Sequence, residues 1–256
     1  MKRSRIPFIV TGICLLFFYL PILILVVNSF NASRFSTVWE GFSFKWYVML
    51  FNDRKIWHAL RNTGTVALGS TILSMLLGTL AAFVLHRYRS RLQRFHYGLV
   101  YLPLVVPDIL MGLSLLLFFV MLKVPLGLTT ITLAHVTFCI SYVAMVVLAR
   151  LQDFDFQVIE AAQDLGAGRW MVLWRILLPL LAPGILAGGL LAFTLSIDDF
   201  VISFFVAGPG STTLPIQIYS MIKHGNPPVI NALSTLLLTL TFLFVWISQH
   251  LKEKNL

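Results

Sequence analysis

Long apolar runs separated by short polar clusters dominate this chain. After Met1-Lys2-Arg3-Ser4-Arg5, the residues from Ile6 to Val27 are almost wholly apolar, and comparable runs recur at about 62–85, 95–121, 129–149, 171–196 and 230–250. A helix crosses the roughly 30 Å hydrocarbon layer in about 20 residues, so each run is long enough to be one span. Alternating segments of strand length are absent, which argues against a membrane barrel. The pattern therefore predicts an all-α polytopic membrane protein, six transmembrane helices in a single domain over 1–256. The first run exceeds the 7–15 apolar residues of a secretory signal and lacks a clear A-x-A site, so it reads as an uncleaved span. Pro21 is expected to bend it.

The polar connections refine this picture. Residues 28–61 form the longest of them, with Trp39, Trp46 and Tyr47 suited to a membrane interface. A short helix along the surface is expected there. Gly64, Gly69 and Gly78 in the second run, and the Gly184/Gly188 pair in the fifth, mark helices that pack closely. The third run contains Pro103, Pro107 and Asp108. Between the fifth and sixth runs, 207–228 reads as a loop.

Composition agrees: 58% of residues are hydrophobic, only 11% are charged, and mean hydropathy is +0.88. A soluble domain carries about 25% charged residues. The net charge of +9 reflects basic loops rather than nucleic-acid binding. If the N-terminus is cytoplasmic, twelve of the 19 Lys and Arg fall on that side, four of them in the segment HRYRSRLQRF after the second span. By the positive-inside rule both termini are then cytoplasmic, and so is the loop between the fourth and fifth spans. Cys14 and Cys139 lie in apolar runs and read as small core residues.

Enzymatic signatures are missing. The sequence has no G-x-x-x-x-G-K-[ST] phosphate loop, no H-E-x-x-H and no G-x-S-x-G. Ser220 and Lys223 stand three apart without the motifs that would make them a nucleophile pair. No enzyme activity, metal site or cofactor in this chain is expected. What stands out inside the apolar runs is acid: Asp108, Asp198 and Asp199. A charge at bilayer depth costs about 2.5–3.5 kcal/mol, so such residues face a bundle interior or a watery path. Apart from Arg175 near the start of the fifth run, no Lys or Arg occurs within the apolar runs to pair with them. Asp108 follows the basic segment by about twelve residues, which on a straight helix puts it about 18 Å in, near the midplane. These three acids are the candidate substrate-pathway residues for a cation, and Tyr142 is a candidate aromatic face for an ammonium group. Asp198 and Asp199 cannot both face one pore, so one of them is expected to cap a helix break. His135 reads as a packed helix residue bonded across to a neighbour.

The stretch Glu160–Pro179, EAAQDLGAGRWMVLWRILLP, is the polar island between the fourth and fifth spans. Glu160 suits the first turn of a short helix, Ala161 and Ala162 allow another backbone close, and Gly166 can end the helix in the left-handed conformation. Glu160-Ala161-Ala162, three residues, Gly166, nine residues, Ile176, one residue and Leu178-Pro179 resemble the cytoplasmic loop of bacterial ABC importer permeases. NSFNASRF, WEGFSFKWY, AHVTFCISYV and LAFTLSIDDFVISFFVAGPG look like the spermidine/putrescine, PotC-like subgroup, over about Pro21 to Leu240. The resemblance implies a type I ABC importer permease fold in the bacterial inner membrane. Its coupling helix, Glu160, Ala161, Ala162 and Gly166, would be seated on an ATPase. It also implies the partners: a second, PotB-type permease, two ATPase subunits that bind ATP and Mg, and an external substrate-binding protein delivering polyamine. The family's pathway acids would map onto Asp108 and Asp198. Neighbouring subgroups carry opines or aminoethylphosphonate. An ATP-independent secondary cation transporter or channel is the alternative from another class, weakened by the absence of inverted repeats.

Overall fold

A computed structural model describes residues 6–34, 38–87, 92–152, 154–155, 157–225 and 227–253. Residues 88–91 of the basic segment 86–95 expected on the cytoplasmic side, and Lys2, Arg3, Arg5 and Lys254 near the termini, lie outside the described residues. Among those described, the chain is helical with no strand beyond a single Asn31–Phe42 bridge. Helix α1 spans Ile6–Ser29 and runs through Pro21. Then come α2 (Lys45–Asn52), α3 (Arg54–Arg87), α4 (Gln93–Val105), α5 (Asp108–Met121) and α6 (Leu128–Gln152). The polar island holds α7 (Gln157–Asp164) and α8 (Arg169–Val172). A π-helical turn, Leu173–Leu177, joins α8 to α9 (Leu178–Asp198), followed by α10 (Val201–Val206), α11 (Leu214–Lys223) and α12 (Pro227–Glu253).

Among the described residues, four helical stretches are long and apolar enough to cross a membrane: Pro7–Ser29, Arg54–Arg87, Leu128–Gln152 and Arg169–Asp198. The stretch read from sequence as one span, 95–121, is instead two helices meeting at 110°. Pro107 is the cause. It offers no N–H, and the residue before a proline is driven extended; Val106 has ψ 127° and Pro107 ψ 137°. A fifth span exists if that bent pair is counted as one, and α12 contributes a shorter apolar stretch, Pro228–Leu243. The expected loop 207–228 contains α11. The π turn also has a local reason, since Pro179 cannot donate to the Arg175 carbonyl four residues back. The Leu178 N–H bonds instead to Leu173 O, five residues back.

The chain forms two compact units, 1–57 with 217–256, and 58–216. In the first, α12 packs against α1 and α2. Asn31 organises the loop between α1 and α2: its Nδ2 donates to Val38 O (2.7 Å), its Oδ1 accepts from the Ser33 and Glu40 N–H groups, and its O accepts from Trp46 Nε1 (2.7 Å). Phe30 and Phe42 stack there, and Phe44 and Tyr47 pack on them edge-on or tilted, with ring centroids of the contacting pairs 5.1–6.0 Å apart. With Thr235 and Thr239 of α12, three of these rings line a groove of about 380 Å³ that holds none of the candidate acids.

The second unit is built on α6, whose side chains are buried nearly all round. Its neighbours approach through glycines. Gly78 of α3 lies against Val143 and the Ile140 carbonyl, while Gly188 and Gly184 of α9 lie against Val143 and Arg150. Small residues let backbones meet where apolar side chains gain little by leaving lipid. Helix α10 packs on α5 across Gly112, which faces Ile202 Cα and Phe205. The first turn of α6 is tied to the end of α10 by the Thr130 hydroxyl, 2.9 Å from Val206 O. A side chain on Gly208 would collide with the Leu126 carbonyl. Because backbone cannot step aside, Gly208→Ala is expected to destabilise by about 1–3 kcal/mol, read as a lowered midpoint of thermal unfolding in detergent. An unchanged midpoint would contradict this packing.

Candidate functional site

The polar island folds as a helix with a defined start and stop. Asp155 Oδ1 accepts from the Gln157 N–H (2.9 Å), so α7 begins three residues before Glu160, which lies in its first turn. At the other end Gly166 takes φ +87°, and the Gly166 and Ala167 N–H groups donate to Gln163 O (2.9 Å) and Ala162 O (3.0 Å). This closes the last carbonyls of the helix, a geometry that favours glycine. Glu160 and Ala161 are exposed and Ala162 is half-buried, while Ile159 packs inward on the core. Next to them Leu165 is 90% exposed, and Val158, Trp170 and Trp174 are exposed too. A short helix anchored by one face and bare on the other presents a handle of both apolar and acidic character.

The acids fall at helix breaks. Asp108 is not buried along a straight span: it is the first residue of α5, just beyond the Pro107 bend, and it is exposed. Asp198 ends α9 and is likewise exposed. Neither makes a hydrogen bond or ion pair among the described residues. The two breaks belong to packed neighbours, since α5 and α10 touch at Gly112. Tyr142 is half-buried on α6 against the core.

Asp199 behaves differently from its neighbour. Its Oδ1 accepts from the Ile202 N–H (3.2 Å) and its Oδ2 from the Ser203 N–H (2.7 Å), which caps the first turn of α10. Oδ2 also lies 3.1 Å from His135 Nε2. That imidazole, 1% exposed, sits 2.9 Å from Ser203 Oγ through Nε2 and 2.7 Å from Ser196 Oγ through Nδ1. Ser196 Oγ is in turn 3.0 Å from Ser70 Oγ of α3. Sequence alone placed a cap at one of the two aspartates and a cross-helix bond on His135. It could not name the partners, which come from α3, α6 and the α9–α10 junction, three places far apart in the chain.

A model of the family described as binding-protein-dependent transport system inner membrane component matches residues 74–254. The chain belongs to that family. This inner membrane component is 45% identical, over 91% of its length and 88% of the relative's, to the spermidine/putrescine transport system permease protein PotC of Escherichia coli (strain K12). It is 44% identical, over 93% of its length and 87% of the relative's, to the putrescine transport system permease protein PotI of the same organism. A chain of a bacterial ABC transporter that imports the acidic polysaccharide alginate superposes with TM-score 0.75 and 16% identity, covering 98% of both chains. The inner membrane component thus has the ABC importer permease fold. It is the permease of a bacterial binding-protein-dependent transport system.

Proposed function

We propose that this permease carries polyamines, spermidine or putrescine, into the cytoplasm. It does so beside a second permease of the PotB type, two ATPase subunits that bind ATP and Mg, and an external binding protein. The observation that carries the reading is the identity of 44–45% to two polyamine permeases over more than nine-tenths of this chain. The chemistry is consistent with it. A flexible polycation is best passed along spaced carboxylates, and Asp108 and Asp198 stand exposed at two helix breaks with no Lys or Arg within ten residues of either along the chain. Both termini and α7 face the cytoplasm in this scheme. ATP-driven closure of the ATPases moves α7, tilts the helices and opens the cavity outward; hydrolysis resets it.

Uptake of radiolabelled spermidine, putrescine and glycine betaine by the reconstituted complex tests the proposal. Spermidine or putrescine, but not betaine, is expected to accumulate, and only with ATP. Asp108→Asn is expected to cut uptake at low polyamine by about tenfold while the complex still assembles, since one opposed charge at low dielectric is worth well over 1.4 kcal/mol. Betaine transport, or uptake from an ATP-depleted vesicle that holds its membrane potential, would overturn the reading.

A further inference from the structure

We propose that the adjacent acids Asp198 and Asp199 divide two jobs: Asp198 meets the cargo, while Asp199, locked by His135, only positions it. The cationic nature of the cargo rests on the polyamine reading; the division of labour does not. A chain that breaks between α9 and α10 leaves backbone donors open, and lipid offers none of the hydrogen bonds that water would. Asp199 closes that gap by taking the Ile202 and Ser203 N–H groups. A carboxylate only accepts, so the imidazole Nε2 that faces Oδ2 carries a proton, and Nδ1 lies 2.7 Å from the Ser196 hydroxyl. One buried ring thereby holds the last turn of α9 (Ser196), the joint (Asp199) and the first turn of α10 (Ser203). Ser70 extends the hold to α3. The capacity of Asp199 is used up inside the protein, with its side chain 9% exposed. Asp198, one residue earlier, is exposed and unengaged among the described residues. His135 is therefore a positioning residue that fixes where the Asp198 carboxylate stands.

The test uses the complete transporter in vesicles with Cys14→Ser in this chain and the buried Cys139 kept. Asp198→Cys and Asp199→Cys are labelled in turn with a small cationic methanethiosulfonate, read by mass spectrometry of this chain. Asp198→Cys is expected to react at least about tenfold faster, and spermidine to slow it. In uptake, Asp198→Asn is expected to raise KM by about tenfold. Asp199→Asn, which keeps one capping acceptor, lowers the maximal rate with KM within about threefold. His135→Leu lowers the rate and shifts KM, and His135→Gln restores KM toward the parent value because an amide can still donate to Asp199. Equal labelling at the two positions, or a KM rise in Asp199→Asn matching that of Asp198→Asn, overturns the inference. The labelling arm reads it even if the wild-type complex takes up no spermidine, a result that would count against the polyamine reading alone.

Discussion

Gly166→Pro is expected to leave an assembled transporter that imports nothing and no longer raises ATP hydrolysis when the loaded binding protein is added. The Gly166 backbone sits at φ +87° and its N–H bonds Gln163 O. Proline is held near φ −65° and has no N–H, so both features are lost and the last turn of α7 unwinds. None of the α7 side chains is fully buried, so the packed interior of the unit is spared. Gly166→Ala should be milder: a left-handed residue with a Cβ costs about 1–2 kcal/mol, which weakens the handle without removing it. Glu160→Lys tests the same surface by charge instead of shape. It reverses an exposed carboxylate in the first turn, where the helix dipole favours an anion. Co-purification of the ATPase subunits, measured beside the stimulated hydrolysis rate, separates loss of docking from loss of folding. If Gly166→Pro and Glu160→Lys both keep normal stimulated hydrolysis and uptake, α7 is not the mechanical contact.

Gly78→Leu is expected to abolish recovery of folded protein, the largest effect on stability in this chain. A Cβ at Gly78 would lie 2.8 Å from Val143 Cβ, 2.9 Å from its Cγ1 and 3.0 Å from the Ile140 carbonyl. Val143 cannot retreat, because Gly188 of α9 presses on its Cα from another helix, 3.2 Å from where a Cβ would be. Helix α6 is thus held between α3 and α9 at one residue. Gly78→Ala alone is expected to cost about 1–3 kcal/mol. Adding Val143→Ala should return part of that loss, since it removes Cγ1, one of the two Val143 atoms in the way. Gly64→Ala, with nothing within 4 Å, serves as the control and should move stability by no more than about 0.5 kcal/mol. Recovery of folded protein reads Gly78→Leu, and thermal unfolding in detergent reads the alanine variants. Additive losses in the double variant, or a Gly64→Ala as damaging as Gly78→Ala, would show that the contact is not the limiting one.

Hydropathy, glycine spacing and loop motif carried much of this structure. Ile6–Ser29, Leu128–Gln152 and the helix ending at Asp198 are legible because lipid allows only backbones that satisfy themselves, and a long apolar run can do that only as a helix. The left-handed Gly166 and the glycine contacts of α3 and α9 are local requirements too, and a residue type announces them. The breaks were harder. Val106-Pro107 could have been read as a stop, since a proline's effect on its predecessor is local, but a bend of 110° needs something to receive it. That something is α10 resting on Gly112, more than ninety residues away. The same holds for the acids. Sequence shows two aspartates side by side in an apolar run and makes them chemically equal. Only the fold makes them unequal, because it brings His135 and the Ile202 and Ser203 N–H groups to one carboxylate and leaves its neighbour open. What a residue can do is written in its side chain; which partners use up that capacity is settled by packing between distant segments.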